Sequence, residues 1–256
     1  VLTDVTVIRR SEQMRADFVA NVSHELRSPL SALVGFIETL KGAARDDPAA
    51  RDRFLGIMDD EAGRMTRIID DLLSLSHVET KEHIQPDSQI DLSKLLQRAA
   101  ATVEIKAKNR NMSVATHSEV STDLGAPLVI GDDDELMEVF QNLLDNAVKY
   151  GREGTAVEIK LRAVERIPEK GGPGLAVSVR NIGDGIAPEH LPRLTERFYR
   201  VDKGRSRSMG GTGLGLAIVK HLVSRHRGHL AVSSTLGEAT VFTVYLPIRE
   251  SSSSAS

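Results

Sequence analysis

Two long stretches near the start of the chain repeat apolar residues every three or four positions, as one buried face of an α-helix requires. The pattern predicts a helix over about 12–42 and a second over about 48–78, which together form a hairpin. Because one hairpin cannot cover both of its own stripes, we expect dimerisation into a four-helix bundle, with packing on the rest of the chain as the alternative. The stripe predicted for the first helix consists of Val22, Leu26, Leu30, Leu33, Ile37 and Leu40.

A different pattern begins after the polar, proline-containing stretch 81–90, which we expect to be a linker. Short strands interleave there with helices, and only 181–213 shows little periodicity. This order predicts an α/β sandwich over 91–249, behind an all-α helical hairpin over 12–80. The predicted helices cover about 92–109, 132–149 and 214–227, and the predicted strands about 112–116, 128–130, 156–164, 174–180, 229–234 and 239–246.

The two ends of the sequence differ from both patterns. Residues 1–8 have the composition of a strand, and we expect residues 1–11 to be the end of an upstream region with its linker. Residues 250–256 are rich in serine, which predicts a disordered tail.

Composition narrows the classes of function. The net charge of −3 at pH 7 argues against a nucleic-acid-binding surface. The chain has no cysteine, so disulfide bonds and thiolate metal sites are excluded. No apolar run approaches the roughly 18 residues of a membrane-spanning helix, so we expect no such segment within this sequence.

One histidine of the first helix is placed for chemistry. His24 lies two positions from both Val22 and Leu26, about 200° around the helix, so its imidazole is expected to face solvent. Glu25 is its neighbour in sequence, and Ser28 lies one turn further along the same face. An exposed imidazole beside a carboxylate can be reached by a second molecule. The alternative is an ordinary solvated surface histidine.

Three clusters in the second domain carry further candidate chemistry. Asn142 and Asn146 lie one helical turn apart, and their amide oxygens suit Mg²⁺ that takes its other ligands from phosphates and water. The glycines of 181–186 follow a strand and allow the close approach of a flat ligand. The glycine-rich segment 210–216 opens a helix and suits an anion, although it fits neither the dinucleotide-binding nor the Walker A spacing. The basic segment 203–210 predicts a mobile lid that closes on phosphates.

The order of these motifs resembles the catalytic core of bacterial two-component sensor histidine kinases. The sequence Ser-His-Glu-Leu-Arg-Ser-Pro at 23–29 matches the H box of that family, and 142–150, 181–186, 196–199 and 211–216 match its N, G1, F and G2 boxes. Within the family the chain looks most like the phosphate-regulon sensors of α-proteobacteria. The resemblance implies a dimerising helical hairpin followed by an ATP-binding α/β sandwich of the type shared with gyrase and Hsp90.

The resemblance also implies a reaction. His24 attacks the γ-phosphate of ATP, Glu25 accepts the ring proton, and Ser28 stands where the family has a residue that supports dephosphorylation of the partner. The implied partners are a second copy of the chain, through the hairpin, and the receiver domain of a response regulator, PhoB-like by the narrower match. Phosphorylation within one subunit and across the dimer are both compatible with the sequence. The chain is then the cytoplasmic portion of a membrane-anchored protein, preceded by a PAS-like sensor domain.

ATP and Mg²⁺ are the cofactors that the resemblance implies. Asn142 would hold Mg²⁺, Asn146 and Lys149 the phosphates, and Tyr150 one side of the base. Backbone N–H groups of 212–216 would hold further phosphate oxygens. The residues implied to bind the nucleotide are Asn142, Asn146, Lys149, Tyr150, Asn181, Gly183, Gly185, Ile186, Arg200, Thr212, Gly213, Leu214, Gly215 and Leu216.

The chain departs from the family at Asn181, where the family has an Asp that accepts a hydrogen bond from the adenine amino group, and at Ile182, where it has Asn. Charged hydrogen bonds contribute about 1.5–3 kcal/mol and neutral ones about 1 kcal/mol, so an Asn here predicts roughly tenfold weaker ATP binding. The alternative function is therefore a nucleotide-impaired kinase that acts as a phosphatase or scaffold. An ATP-driven chaperone or topoisomerase would explain 132–246 but not the His24 hairpin.

Overall fold

The chain divides into two compact units. The first consists of Val1–Leu73 together with Gly204–Thr212, and the second of Ser74–Lys203 together with Gly213–Ser256. The computed structural model describes residues 6–80, 85–120, 126–202 and 211–248. Several sequence expectations concern residues outside these ranges, namely 1–5 of the strand-like start, 81–84 of the linker, the lid at 203–210 and the tail at 250–256.

Helices and strands occur in the predicted order. The helices are α1 (Thr6–Lys41), α2 (Pro48–Thr80), α3 (Leu92–Lys108), α4 (Asp133–Tyr150) and α5 (Gly215–Arg225). The strands are β1 (Ser88–Asp91), β2 (Ser113–Ser118), β3 (Leu128–Gly131), β4 (Ala156–Val164), β5 (Gly174–Ile182), β6 (His229–Thr235) and β7 (Ala239–Pro247). Among the described residues, none of the helices has an apolar stretch long enough to cross a membrane.

Two local expectations are wrong, and one short element was not predicted. Residues 6–8 are the start of α1 and not part of a strand, because helix propagates easily from an existing turn while a strand needs a partner. The predicted linker contains β1, which forms by antiparallel pairing with β3. Ile90 is its one buried apolar residue, and a single apolar position produces no periodic pattern in the sequence. The irregular stretch 181–213 contains a 3₁₀ helix, Pro188–Arg193, with proline in its first turn.

The first unit is the α1–α2 hairpin. Its helices pack through half-buried apolar side chains, and the rings of Phe36 and Phe54 lie 5.4 Å apart. The predicted stripe of α1 is only partly covered within one chain, since Leu30 is 52% and Ile37 39% exposed. A single neighbouring helix is too narrow to cover the stripe, which extends around α1.

The second unit is an α/β sandwich, as predicted. Its five-stranded sheet has the order β2-β4-β5-β7-β6, in which β2 pairs in parallel with β4 and all other neighbours are antiparallel. Buried residues alternate along β7, so one sheet face packs on the layer formed by α3, α4 and α5 while the other remains partly exposed. The centre of this core is built from Leu136, Phe140, Leu143, Val157, Ile159, Val177 and Ile218.

Local contacts hold both ends of α4. The side chain of Asp132 caps α4 by accepting from the backbone N–H groups of Asp134 and Glu135, both at 3.1 Å. The last turn of α4 lies beside the end of β5, where Gly151 pairs with Gly183. Helix capping and strand pairing therefore place the N box and the G1 box together.

Candidate nucleotide and phospho-acceptor sites

The phospho-acceptor candidate lies on α1, as the helical pattern predicted. The side chains of His24 and Ser28 are exposed, whereas that of Glu25 is half-buried. His24 is exposed because it lies on the opposite side of α1 from Val22 and Leu26, which are half-buried in the hairpin. An incoming phosphoryl donor can therefore reach the imidazole.

Glu25 has a partner that our sequence reasoning missed. Its Oε2 lies 2.5 Å from Nη2 of Arg64 on α2, and the Arg64 side chain is only 5% exposed. Glu61, one turn before Arg64, approaches the same guanidinium at 3.8 Å. The sequence contains a signal for this pair. Glu61 lies three positions after Met58 and Arg64 four positions before Ile68, where an apolar helical repeat would place further apolar residues.

The N box ends α4. The amide Nδ2 of Asn142 donates to the carbonyl oxygen of Glu138 at 3.0 Å, which fixes the orientation of the amide. Its Oδ1 then lies against Gly215 at the start of α5, where an added Cβ would overlap this oxygen. Asn146 follows one turn later and is half-buried, while the intervening Leu143 is fully buried in the core as expected.

The last turn of α4 carries two further candidates. Nζ of Lys149 lies 5.1 Å from the centre of the Tyr150 ring, which is 38% exposed. A guanidinium from the end of α3 holds this turn. Nη1 of Arg110 donates to the carbonyl oxygens of Val148 and, at 2.6 Å, of Lys149. These carbonyls are among the four at a helix C-terminus that have no partner within the helix.

Asn181 is near the end of β5, buried to 5% exposure. It pairs with Val157 of β4 and with Thr240 of β7. Among the described residues, no hydrogen bond is found for its side-chain amide, and its polar atoms are not sealed from the surface. A buried amide in this state is suited to a ligand that supplies the missing partner.

The loop after β5 needs its glycines. An added Cβ at Gly183 would lie 2.6 Å from the carbonyl oxygen of Tyr150. Gly185 has a φ of +73°, and an added Cβ there would overlap the backbone of Thr235. The backbone N–H of Ile186 donates to Oγ of Ser234 at 2.9 Å. That hydroxyl lies 2.7 Å from Oγ1 of the buried Thr240, which pairs with Asn181 in the sheet. Our sequence analysis did not predict this contact.

The G2 box is joined to the F box by the backbone. The N–H of Phe198, with a φ of +62°, donates to the carbonyl oxygen of Gly213 at 2.8 Å. A Cβ at Gly213 would lie 2.9 Å from Cα of Phe198, so only glycine fits this approach. The fully buried Leu214 caps α5, and the remaining candidates of these two boxes are the half-buried Arg200, the buried Thr212 and the half-buried Leu216.

The second unit thus brings together the predicted residues of α4, of the loop after β5 and of the start of α5. The contacts that show it join Asn142 to Gly215, Tyr150 to Gly183, and Phe198 to Gly213. The described part of the chain has no group of three His, Cys, Asp or Glu residues able to hold a metal. Mg²⁺ needs few protein ligands where phosphates and water complete its octahedron.

Two known families cover most of the chain. Residues 14–81 match the histidine kinase A phospho-acceptor domain, and residues 131–250 match the histidine kinase-, DNA gyrase B- and HSP90-like ATPases. The chain contains the two domains of a sensor histidine kinase core. Its second domain is of an ATPase family, whose ligand is ATP.

Curated relatives agree with this assignment. The chain is 40% identical over 245 residues to the phosphate regulon sensor protein PhoR of Pseudomonas aeruginosa, covering 96% of the chain and 53% of that protein. It is 37% identical to the sensor-like histidine kinase SenX3 of Mycolicibacterium smegmatis, covering 93% of the chain and 59% of that protein. The chain therefore spans little more than half the length of these relatives and resembles the PhoR-type sensor core.

A solved structure confirms the fold. The crystal structure of histidine kinase ThkA in complex with response regulator protein TrrA has a TM-score of 0.71 to this chain at 22% identity. The match covers 97% of this chain and 68% of that one. The helical hairpin followed by the α/β sandwich is therefore the arrangement of domains found in a known histidine kinase.

Proposed function

We propose that the chain is an ATP-dependent histidine kinase that phosphorylates its own His24. The observation that carries the proposal is an exposed imidazole with Glu25 beside it in a chain that also contains a domain of an ATPase family. A ring nitrogen of His24 attacks the γ-phosphorus of ATP and forms the P–N bond. The bond from phosphorus to the β,γ-bridging oxygen breaks, its electrons leave with ADP, and Glu25 accepts the ring proton.

In this proposal the second unit holds the nucleotide. Asn181 accepts a hydrogen bond from the adenine amino group, and Tyr150 flanks the base. Asn142 supplies one oxygen to Mg²⁺, which neutralises phosphate charge when it is bound. Asn146 and Lys149 contact the phosphates. The fit is supported by the open amide of Asn181 and by the fixed orientation of Asn142.

Incubation with radiolabelled ATP tests the kinase. The wild-type chain is expected to take up acid-labile, alkali-stable label, and His24→Ala is expected to abolish it. His77→Ala is the matched control, because His77 is an exposed histidine on α2 and should leave the label unchanged. Label that persists in His24→Ala would contradict the assignment of the acceptor.

We also propose that the active form is a homodimer joined through the hairpin. Exposed apolar side chains on both helices support this, among them Leu30 and Val34 of α1 at 52% and 50% exposure. Leu30→Glu with Val34→Glu should convert a dimer to a monomer in sedimentation or light scattering. The control Ile105→Glu alters a side chain of α3 that is 74% exposed and should leave the oligomeric state as it is.

The phosphoryl group then passes to an aspartate of a response regulator, where the P–N bond breaks as an acyl phosphate forms. The similarity to a phosphate regulon sensor supports a PhoB-like regulator, and ThkA was crystallised with its regulator TrrA. Ser28, exposed one turn after His24, is placed to orient water for the reverse dephosphorylation. Ser28→Ala should slow regulator dephosphorylation while leaving labelling of His24 intact. We place this core in the cytoplasm, as part of a longer membrane-anchored sensor.

A second candidate is a kinase with weakened nucleotide binding that acts mainly as a phosphatase. The observation favouring it is the neutral Asn181 at a buried position, where the family has a carboxylate. A neutral acceptor holds the adenine amino group less tightly than a charged one. The affinity of Asn181→Asp for ATP distinguishes the two candidates.

A further inference from the structure

We infer that Arg64 is a positioning residue for phosphorylation of His24 and that it acts through Glu25. The inference rests on the proposed function, since it concerns the base of that reaction. Arg64 lies on α2, on the opposite helix of the hairpin from His24 and Glu25. No motif of the sequence includes it.

The geometry joins the two helices at the acceptor. Nη2 of Arg64 lies 2.5 Å from Oε2 of Glu25, the residue directly after His24. The side chains are 5% and 15% exposed, so water competes little for this ion pair. The Glu25 carboxylate is therefore held at one of its two oxygens by a side chain that is itself enclosed in the hairpin.

The cluster is poorly built for stability alone. One guanidinium faces two carboxylates, because Glu61 also lies within 3.8 Å of Arg64. Nε of Arg64 and Oε2 of Glu61 are buried without a hydrogen-bond partner among the residues described here. Replacing such buried charges by apolar side chains is often neutral or stabilising. An apolar residue at 64 would also continue the stripe of α2, so charge at this place needs another reason.

Orientation of the base supplies that reason. A general base must lie within hydrogen-bond reach of the proton that it accepts, and a displacement of about 1 Å can reduce a rate a hundredfold. The neighbouring position of Glu25 in sequence brings the carboxylate near the imidazole but leaves its rotamer open. Arg64 selects the rotamer. It gives α2 control over a base on α1, so a shift between the two helices changes the rate of phosphorylation.

A double-mutant cycle tests the inference at saturating ATP, where nucleotide affinity does not enter the rate. Arg64→Gln should slow labelling of His24 by about tenfold to a hundredfold. Glu25→Gln should slow it by about a hundredfold or more. If Arg64 acts through Glu25, adding Arg64→Gln to Glu25→Gln should change the remaining rate by less than about twofold. Arg67→Gln is the matched control on an exposed position of α2 and should have no effect.

The outcomes distinguish failure of the role of Arg64 from failure of the proposed kinase function. Multiplied losses in the double variant would overturn the role through Glu25, because a separate or purely structural role of Arg64 does not depend on Glu25. No label on the wild-type chain would overturn the proposed function and this inference with it. If far-UV circular dichroism shows that Arg64→Gln has lost its helices, Arg64→Lys takes its place. Lysine keeps a positive charge beside both carboxylates. Arg64→Lys should slow labelling of His24 in the chain that retains Glu25 and should not slow it in the Glu25→Gln variant. If Arg64→Lys also slows labelling in the Glu25→Gln variant, the inference is wrong.

Discussion

The backbone N–H of Asp132 donates to Nε2 of His226 at 3.0 Å and so joins the start of α4 to the end of α5. Nδ1 of the same ring lies 2.8 Å from the carbonyl oxygen of Leu222, which makes Nδ1 the protonated nitrogen and the ring neutral. Burial is the largest effect and lowers the pKa of His226, while the hydrogen bond to Leu222 opposes it. The charge of Arg225 lowers the pKa further, and the smaller effect of Asp132 raises it. The helices that carry the N and G2 boxes are thus connected by a histidine that resists protonation.

This connection predicts acid sensitivity. Below pH 6.5 the unfolded chain protonates the position of His226 while the folded chain does not, so the unfolded state binds more protons. Stability therefore falls as the pH decreases from 6.5 towards the lowered pKa of the folded state, by at most about 1.4 kcal/mol per pH unit. His226→Gln should remove this pH dependence of stability, because glutamine does not titrate.

Urea unfolding at several pH values measures the effect. The chain has no tryptophan, and its tyrosines, Tyr150, Tyr199 and Tyr245, all lie in the second unit, so tyrosine fluorescence reports on that unit. The exposed His117→Gln of the same unit is the control and should keep the wild-type pH dependence. An unchanged slope in His226→Gln would rule out this histidine as the cause.

Gly215→Ala should weaken the binding of Mg²⁺-ATP. The added methyl group would overlap Oδ1 of Asn142 and displace the oxygen proposed to face the cation. Displacement of groups that orient a metal ligand reduces metal affinity by about tenfold to a hundredfold. Calorimetry with ATP should show that loss in the presence of Mg²⁺ and a smaller one in the presence of a chelator.

Gly56→Ala is the control for this substitution. No atom of the residues that the structure describes lies within 4 Å of a Cβ added at Gly56. Alanine stabilises an exposed helix over glycine by about 1 kcal/mol. ATP affinity should stay constant while α2 becomes more stable. Equal loss of affinity in both alanine variants would point to a general effect of substitution and contradict the role of Gly215.

Arg110→Met should both destabilise the second unit and weaken nucleotide binding. The substitution leaves the carbonyl oxygens of Val148 and Lys149 without the guanidinium that joins them to the end of α3. Hydrogen bonds to charged groups contribute about 1.5–3 kcal/mol, and a loss towards the lower value is expected because Arg110 is 31% exposed. The freed turn carries Lys149 and Tyr150, so ATP affinity should fall as well.

Lys108→Met separates this role from general loss of charge. Lys108 lies at the end of α3, and its one ion pair among the described residues is the exposed pair with Glu104. Its removal should therefore change stability by less than about 0.5 kcal/mol. Denaturant unfolding followed by tyrosine fluorescence and calorimetry with ATP supply both quantities. Wild-type ATP affinity in Arg110→Met would show that the last turn of α4 needs no such support.

The positions of the helices, strands and box residues followed from the sequence because each depends on local rules. Periodicity predicted α4, and the offset of His24 from Val22 and Leu26 predicted the exposure of His24. These features depend on residues close in the chain, where helical geometry alone relates one position to the next.

Contacts between residues far apart in the chain could not be predicted from the sequence. Arg64 reaches Glu25 across 39 positions, Arg110 reaches the end of α4 across a similar distance, and Ser234 meets the loop after β5 from a different strand. Each depends on how two elements pack, which no spacing in one of them reveals. The charge of Arg64 interrupts the apolar repeat of α2, but the repeat does not show which residue of α1 this charge meets.

Asn181→Asp should raise the affinity for ATP. A carboxylate at this buried position accepts the adenine amino hydrogen bond with a full charge, which is expected to strengthen binding by about tenfold. Burial of the new charge costs stability, so unfolding by urea without nucleotide should show a less stable second unit. ATP should then restore stability more strongly in the variant than in the wild-type chain.

Inosine triphosphate makes this test specific to the amino group. It carries an oxygen where adenine carries the amino group, and a carboxylate repels that oxygen while the amide of Asn181 can donate to it. The ratio of ATP to inosine triphosphate affinity should therefore rise in Asn181→Asp by more than the ATP affinity alone. Equal ratios in the two chains, measured by calorimetry, would show that Asn181 does not contact the purine edge, and the nucleotide-impaired candidate would lose its only support.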